Sequence, residues 1–478
     1  MLKLNLKPFL SCIPTRYTFP ITTSFPFSTS RPCTQPIRRN ASKNLTTSSL
    51  PLSPPPPTSA YIHLPFCRKR CHYCDFTIIA LGSNQPQQQQ VDDDPRITNY
   101  VQLLCQEIKA TKPKLDNNPP LKTVFFGGGT PSLVPPKLVC SIIEMLNEKF
   151  GVCDDAEISI EMDPGTFNER KLRELLGLGV NRVSLGVQAF QEDLLRKCGR
   201  AHGLHEVYDA IEIVKGSGLR NWSLDLISSL PHQTIEMWEE SLELAVKASP
   251  THVSVYDLQI EQGTKFGSLY TPGEFPLPSE TDAAEFYKMA SKTLSKAGYE
   301  HYEISSYCKE GYKCKHNVTY WENKSFYGFG LGSTSFLDGV RFSRPKRMKE
   351  YTTYIQDLEN GVKLNQEESK PIDTKDLAMD VVMLSLRTSI GLHLKSFAES
   401  FGSPLVLSLC KGFEPFVKSG HVVALDEKRN SFNVDEFNSM LLNEVKIEDM
   451  VAFIRLSDPE GFLVSNDLIS SAFRVIDP

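Results

Sequence analysis

No stretch of the 478-residue sequence approaches the roughly 20 consecutive apolar residues that a membrane-spanning helix needs, so no membrane span is predicted. The main part of the chain also lacks an excess of basic residues. Residues 61–478 contain 45 Lys and Arg against 57 Asp and Glu, a balance of −12. Because nonspecific nucleic-acid binding needs surplus cations to neutralise phosphates, this balance argues against a nucleic-acid partner.

The amino-terminal segment, residues 1–60, has no acidic residue at all; the first one in the chain is Asp75. This segment contains 7 Lys and Arg, 18 Ser and Thr, and 11 Pro. It has too little apolar surface to offset its ordering entropy, so we expect disorder. A basic, Ser-rich and acid-free segment is typical of an organelle transit peptide. Its Ser, Thr and Pro content favours the chloroplast over the mitochondrion. If the segment is a disordered tail that carries no targeting signal, the protein would stay in the cytoplasm.

From residue 61 onward, short β-branched or apolar runs alternate with longer amphipathic stretches. The predicted strands are 61–64, 123–126, 157–161, 182–187, 223–227 and 252–256. Strands that alternate with helices in this way indicate βα units around a parallel sheet. The sequence therefore predicts an α/β fold, a partial (β/α)6 TIM-like barrel, with its active site at the carboxyl ends of the strands.

The alternation is interrupted once and then ends. Residues 82–94 form a polar, Gln- and Asp-rich stretch that is expected to be a solvated loop. After about residue 370 the pattern changes to helices at 377–388 and 394–401 and a hairpin of 421–425 with 431–434. This indicates a small α+β, winged-helix-like domain. The predicted organisation is a transit-like segment (1–60), a barrel (61–300), a connecting segment (301–370) and a carboxyl-terminal domain (371–478).

Three of the twelve cysteines are clustered, as Cys67-x3-Cys71-x2-Cys74, directly after the first predicted strand. Soft thiolates select zinc, copper(I) or an iron–sulfur cluster. A structural zinc would need a fourth ligand, which His63 or His72 could supply. Three cysteines without a fourth nearby would suit a cluster with one iron left open to another ligand, since electron carriers use four. The spacing alone leaves both interpretations open.

The ends of the following strands are also unusual. The second strand runs into Gly127-Gly128-Gly129-Thr130, where the missing side chains allow a ligand to approach the backbone. The third and fifth strands carry Glu161 and Asp225 in apolar surroundings. A buried carboxylate is costly unless it meets a partner, so these acids are interpreted as facing a ligand. The alternative is that they simply face solvent at the strand ends.

In these residues the chain resembles the radical S-adenosylmethionine (SAM) enzymes, which share the cysteine spacing, the aromatic Tyr73 before the last cysteine and the Gly-Gly-Gly-Thr-Pro sequence. From about residue 60 to the end it is similar to the group that contains oxygen-independent coproporphyrinogen III oxidase and the heme chaperone HemW. The shared stretches are 61–67, 157–164, 181–188, 225–231 and 316–321.

The resemblance implies that Cys67, Cys71 and Cys74 hold a [4Fe–4S] cluster whose open iron binds SAM. The positions that match contacts to SAM, or to a second molecule of it, are Tyr61, Tyr73, Gly128, Gly129, Thr130, Glu161, Gln188, Arg200 and Asp225. An electron donor would be a further partner if SAM is cleaved. The carboxyl-terminal domain would be of the oxidase (HemN) type.

Two departures from the oxidase favour the chaperone branch. The oxidase has a further cysteine where this chain has Phe76, and its ordered amino-terminal arm is replaced here by the transit-like segment. The resemblance then implies a protein that binds heme and passes it to acceptor hemoproteins, with decarboxylation of coproporphyrinogen III as the alternative. Whether the chain is an enzyme stays open. His316, in the sequence His-Asn-x-x-Tyr-Trp, is the candidate heme ligand, and a purely structural role for it stays open too.

Overall fold

The computed structural model describes residues 56–82, 94–113, 118–362, 373–442 and 446–477, which all lie in one compact unit. The predicted transit-like segment and the Gln-rich loop fall almost wholly outside these ranges. No helix among the described residues is long and apolar enough to cross a membrane.

The strands of the described residues follow one another along the chain. They are β1 (Ser59–Leu64), β2 (Phe66–Cys67), β3 (Ile79–Ala80), β4 (Leu121–Gly128), β5 (Val152–Met162), β6 (Arg182–Gln188), β7 (Trp222–Ser228), β8 (His252–Asp257), β9 (Glu300–Glu303), β10 (Ser306–Cys308), β11 (Tyr327–Phe329), β12 (Thr334–Leu337), β13 (Val340–Ser343), β14 (Leu392–His393), β15 (Val422–Leu425) and β16 (Phe453–Leu456).

The described α-helices follow the same order. They are α1 (Pro95–Ala110), α2 (Pro136–Phe150), α3 (Glu169–Gly177), α4 (Glu192–Lys197), α5 (Leu204–Gly216), α6 (Ile235–Ala248), α7 (Lys265–Leu269), α8 (Glu280–Lys296), α9 (Lys315–Trp321), α10 (Met348–Glu359), α11 (Thr374–Leu386), α12 (Leu394–Phe401), α13 (Ser403–Lys418), α14 (Val434–Leu442), α15 (Glu460–Leu463) and α16 (Ser465–Ile476).

A nine-stranded sheet forms the centre of the described structure, in the order β11-β1-β4-β5-β6-β7-β8-β10-β9. The strands from β11 to β8 are parallel. At one edge β10 is antiparallel to β8, and β9 is antiparallel to β10. Within the described residues the edge strands β11 and β9 do not pair with each other, so the barrel is open. The six predicted strands correspond to β1, β4, β5, β6, β7 and β8, which confirms the partial (β/α)6 barrel.

Burial explains why these segments form strands and helices. All residues of β7 are buried, as expected for a strand that is covered on both faces. The helices that follow β4 to β8 bury one apolar face each; α2, for example, buries Val139, Ile142 and Leu146. Because the barrel strands are parallel, their carboxyl ends lie at one mouth of the barrel and their amino ends at the other.

Helix α9 lies at the amino-terminal mouth. The backbone N–H groups of Lys315 and His316 donate to the Glu157 carboxylate, over 2.9 and 3.4 Å. Glu157 lies opposite Thr123 in the pairing of β5 with β4. A negative side chain at a helix amino terminus accepts the N–H groups that lack partners within the helix.

The carboxyl-terminal part contains a three-stranded antiparallel sheet in the order β14-β16-β15, surrounded by helices. The predicted hairpin is only partly present. Its first strand is β15, but residues 431–434 contribute a single bridge, Leu425 to Ser431, before α14 begins. Strand β15 pairs with β16 instead, which lies about 30 residues farther along the chain.

Candidate active site at the carboxyl-terminal mouth

The cysteine loop follows β1 and is closed by its own backbone. Strands β2 and β3 bracket it in parallel, and the Leu81 N–H donates to the Cys67 carbonyl over 2.8 Å. Inside the loop, Arg70 donates to the carbonyls of Cys74 and Phe76, over 3.1 and 2.9 Å. These bonds hold the three cysteines in one short, folded segment.

The thiols of the loop meet side chains from the neighbouring strands. The Thr130 hydroxyl donates to the Cys67 sulfur over 3.5 Å, and Arg200 donates to the Cys71 sulfur over 3.4 Å. Burial raises the pKa of the Cys67 thiol to about 12. A metal bound here must therefore displace a proton from Cys67 at neutral pH.

The two histidines that could complete a zinc shell have other partners in this structure. Among the described residues, no group of three or more His, Cys, Asp or Glu side chains converges closely enough to hold one metal ion. His63 is hydrogen-bonded through both ring nitrogens, to Tyr61 and to the Thr77 carbonyl, and His72 is likewise engaged, by the Lys197 carbonyl and Lys265. Either histidine would have to give up one of these contacts to complete a zinc shell. A cluster has no such requirement, because each cysteine binds a different iron.

The glycine turn lies tightly against the start of the cysteine loop. Gly128 has a φ of +115°, and a Cβ there would lie 2.6 Å from the His63 ring. A Cβ on Gly129 would lie 2.6 Å from the Phe66 carbonyl oxygen. The Thr130 N–H donates to that same carbonyl over 2.6 Å. Only glycine allows this approach, so the turn and the loop form one packed unit.

Two carboxylates face the barrel interior behind this turn. Glu161 accepts the Gly128 N–H over 3.2 Å, and Asp225 accepts the hydroxyls of Ser184 and Ser223 over 2.8 and 3.1 Å. Neither acid forms an ion pair with a residue that the structure describes. Burial first, and then the charge of Asp225, raises the pKa of Glu161 to about 8. Two acids without a cation suit a positively charged ligand.

A buried ion cluster joins the cysteine loop to the strand ends. Arg200 donates to Asp163, to the Tyr73 hydroxyl over 3.0 Å and to the Gly186 carbonyl over 3.0 Å. From the loop itself, Arg68 reaches Asp163 at 3.6 Å. Burial alone would raise the pKa of Asp163, but the neighbouring cations, Arg200 first among them, hold it well below its usual value. The charged cluster thus holds the loop against β5 and β6.

Asp163 and Arg68 were not predicted as site residues. Asp163 directly follows β5, two positions after Glu161, and a charged residue at a strand's carboxyl end was the available signal. Arg68 lies between two predicted ligands. Its partner is 95 positions away, so its role depends on tertiary contacts that spacing does not reveal.

Gln188 and Tyr61 complete the mouth. Gln188 ends β6 with a φ of +72°, and its buried side-chain oxygen has no hydrogen-bond partner among the described residues. Strain and an unused acceptor at a strand end are features of binding sites. The Tyr61 hydroxyl is hydrogen-bonded to His63 over 3.2 Å, and burial raises its pKa. The structure thus brings the predicted residues around β1, β4, β5, β6 and β7 to one mouth.

Phe76 lies at the outer side of the same loop. It lines a cleft of about 490 Å³ together with Cys74, Arg70 and Lys346. The position that distinguishes this chain from the oxidase is therefore adjacent to a predicted cluster ligand, and it presents an aromatic ring rather than a thiol.

His316 lies deeper in the barrel than this mouth, on the amino-terminal side, and its ring centroid is 6.5 Å from that of Tyr61. It is buried in α9, and its ring stacks on Phe125 with the centroids 5.2 Å apart. One ring nitrogen is hydrogen-bonded to Thr123 and the other to Tyr320, each over 2.7 Å. Burial lowers the pKa of the His316 imidazole to about 3. The bond to Thr123 joins α9 to β4, whereas the bond to Tyr320 lies within α9.

Comparison with known proteins agrees with this geometry. The family description "Radical SAM superfamily" matches residues 61–245. The heme chaperone HemW of Synechocystis is 38% identical over 425 residues, which cover 88% of this chain and 97% of the relative. HemW of Bacillus subtilis is 36% identical over 348 residues, which cover 73% of this chain and 88% of that protein. The chain belongs to the HemW group of radical SAM proteins.

A solved structure shares the fold of this HemW-group chain. The radical SAM enzyme coproporphyrinogen III oxidase (HemN) from Escherichia coli superposes with a TM-score of 0.66, and the match covers 89% of this chain and 91% of the oxidase. The two are 21% identical, so the comparison shows the fold alone.

The residues at the mouth fit the two groups that the superfamily implies. Three thiols on a short loop are the donor set of a cluster with an open iron, and SAM carries positive charges that suit Glu161 and Asp225. When bound, the cluster and SAM together would supply a 5′-deoxyadenosyl radical after one-electron reduction. Tyr61, Gly128 and Gln188 would orient the cluster and SAM.

Proposed function

We propose that this protein is a heme chaperone that carries a SAM-bound [4Fe–4S] cluster and passes heme to acceptor hemoproteins. The observation that carries the proposal is the 38% identity to a curated HemW over 88% of this chain and 97% of that relative. The cysteine loop, the tight glycine turn and the unpaired carboxylates support it, because they are what the cluster and SAM require. In this assignment Cys67, Cys71 and Cys74 are the ligands of the cluster.

Coproporphyrinogen III oxidation is the alternative activity. The shared fold with the oxidase is compatible with it, but a fold is shared by proteins of different activities. Phe76 favours the chaperone, since the oxidase has a cysteine at this position.

Anaerobic reconstitution with iron and sulfide, followed by heme titration and a coproporphyrinogen assay on one sample, tests the proposal. We expect a Soret band that saturates with heme, and no decarboxylated product. Product formation at the rate of a control oxidase would show that the protein is an oxidase. Failure to bind heme with and without the cluster would overturn the chaperone proposal.

For localisation, we propose that residues 1–60 direct the protein to the chloroplast, on the strength of their acid-free, Ser-rich composition. A fusion of residues 1–60 to a fluorescent protein should collect in chloroplasts, and a fusion that begins at residue 61 should stay in the cytoplasm. Collection in mitochondria would overturn the chloroplast assignment.

A further inference from the structure

One histidine of the chain differs from the rest. All ten histidines lie in the described residues. Nine of them place a ring nitrogen within hydrogen-bonding or ion-pairing distance of another group. His232 is exposed, and neither of its ring nitrogens has such a partner within the described part of the chain. Both nitrogens of the His232 imidazole are therefore available to an external ligand.

The backbone holds His232 in an unusual conformation. It lies between β7 and α6, in a loop at the carboxyl-terminal mouth, and its φ is +65°. Its N–H donates to the Pro276 carbonyl over 2.7 Å, and the Gln233 side chain accepts the Leu230 N–H over 3.1 Å. Non-glycine residues in this region are uncommon and cluster at binding sites. The loop therefore presents the imidazole from a fixed position.

An exposed aromatic ring lies beside this imidazole. Phe275 is 85% exposed, and its ring centroid lies 5.1 Å from that of His232, with the planes at 86°. An iron that is bound by a histidine lies in the imidazole plane, so a porphyrin around it is perpendicular to that plane. A ring perpendicular to the imidazole can then lie parallel to the porphyrin and cover part of its face. The arrangement leaves apolar surface in water until a flat ligand covers it.

The same segment connects this place with the cysteine loop. After β8 the chain passes Phe266, whose N–H donates to the His72 carbonyl over 2.8 Å. It then continues to Phe275 and Pro276, which contact His232. His232 and the predicted cluster ligands are thus on the same mouth of the barrel. His316, by contrast, is buried on the amino-terminal side of the barrel, with its ring 6.5 Å from that of Tyr61 and both of its nitrogens engaged.

We propose that His232 is the axial ligand of the heme iron and that Phe275 packs against the porphyrin face. This assignment rests on the proposed chaperone function, and it places the heme site on the loops that follow β7 and β8. Ligation by histidine and cover by an aromatic ring are the ordinary means by which a protein holds heme.

Heme titration of His232→Gly tests the assignment on the full chain, with absorbance and electron paramagnetic resonance as readouts. Glycine suits a φ of +65°, so we expect the thermal midpoint to be unchanged. Heme affinity should fall roughly tenfold or more, which corresponds to about 1.4 kcal/mol or more, and the imidazole-ligated spectrum should be lost. Added free imidazole should restore that spectrum. Phe275→Ala should weaken binding and keep the spectrum.

Two control variants separate the possible outcomes. His205→Ala removes an exposed histidine that pairs with Asp209, and it should bind heme like the wild type. His316→Asn should keep the wild-type heme spectrum. If His232→Gly binds with unchanged affinity and spectrum, or if only His316→Asn loses the imidazole signature, the assignment is overturned while the chaperone function stands. Absence of heme binding by the wild type would overturn both.

Discussion

At the scale of single residues, the chemistry depends on a few side chains whose burial alters their protonation. The Cys67 thiol and the Glu161 carboxyl both have raised pKa values, because burial disfavours their charged forms. Both would become charged when a positively charged group binds. Binding of the cluster and SAM would therefore displace protons from these two side chains.

The ligand assignment predicts that Cys71→Ala abolishes the cluster. Without one of three thiolates the iron–sulfur core lacks an anchor, so iron, sulfide and the brown absorbance should fall close to the level of unreconstituted protein. Cys105→Ala is the matched control, since Cys105 lies on α1 away from the loop, and it should reconstitute like the wild type. Unchanged iron content in Cys71→Ala would contradict the assignment.

The raised pKa of Glu161 predicts how SAM binding depends on pH. With a pKa of about 8, this carboxyl is largely protonated at pH 7 and ionised at pH 9. If the ionised form binds the cationic ligand, apparent affinity should weaken by up to about tenfold for each pH unit below 8. Equilibrium dialysis of cluster-loaded protein measures this dependence.

Glu161→Gln should bind SAM more weakly and with a nearly flat pH profile. Asp155→Asn, which alters an exposed acid on the same strand, should keep the wild-type profile. A Glu161→Gln profile as steep as that of the wild type would show that another group titrates.

At the scale of elements, α9 closes the barrel at the mouth opposite the site. His316, Thr123 and Glu157 connect this helix to β4 and β5 through hydrogen bonds. The sequence predicted a special role for the His-Asn-x-x-Tyr-Trp stretch, but it could not show which mouth the stretch would reach. That depends on how the chain returns to the sheet through β11, a strand of three residues that is too short for a periodic pattern.

The buried imidazole of His316 predicts a loss of stability in acid. Its pKa is about 3 in the fold and about 6.5 when unfolded, so between these values the unfolded chain binds the extra proton. The contribution of His316 to the free energy of unfolding is complete above pH 6.5 and is lost as the pH falls towards 3. Between pH 7 and pH 5 the free energy of unfolding should decrease by about 2 kcal/mol from this group.

Urea unfolding of the wild type and of His316→Asn at both pH values measures this contribution. The variant should lose about 2 kcal/mol less than the wild type over the same interval. An equal loss in both proteins would mean that His316 is not buried in its neutral form.

At the scale of the whole molecule, distant segments are joined by buried polar contacts. Glu107 of α1 is fully buried and accepts from Arg344 over 2.7 Å, from Tyr351 over 2.6 Å and from the Gly330 N–H over 2.8 Å. Through these bonds the segment that contains β11 to β13 and α10 is fixed beside the cysteine loop. A neighbouring tyrosine of α1, Tyr100, donates to the His63 carbonyl over 2.7 Å.

Removing Arg344 from its ion pair with Glu107 should destabilise the fold strongly. Arg344→Met leaves the Glu107 charge buried without a cation, and we expect a decrease of roughly 3–5 kcal/mol in the free energy of unfolding. Arg173→Met, at an exposed pair with Glu169, should change it by less than about 1 kcal/mol. Urea unfolding of both variants measures the difference, and similar small changes would contradict the role given to Glu107.

The barrel could be predicted because its information is local. Alternating apolar strands and amphipathic helices indicate βα units directly, and the cysteine and glycine motifs lie where two of these strands end. Helix α13 could not be predicted in this way, since Pro415 and Gly412 lie inside it and both residues normally interrupt helices. Other features depend on contacts between residues far apart in sequence. They are the pairing of β15 with β16, the cluster around Asp163 and the placement of His232 beside Phe275.

Transfer of heme to an acceptor tests the central claim most directly. The cluster-loaded protein, saturated with heme, would be mixed with an apo-hemoprotein, and the acceptor's Soret band would be followed in time. We predict transfer that outpaces release of heme to an inert heme scavenger, which identifies passage through a complex with the acceptor. Transfer at the rate of spontaneous release would contradict the chaperone account.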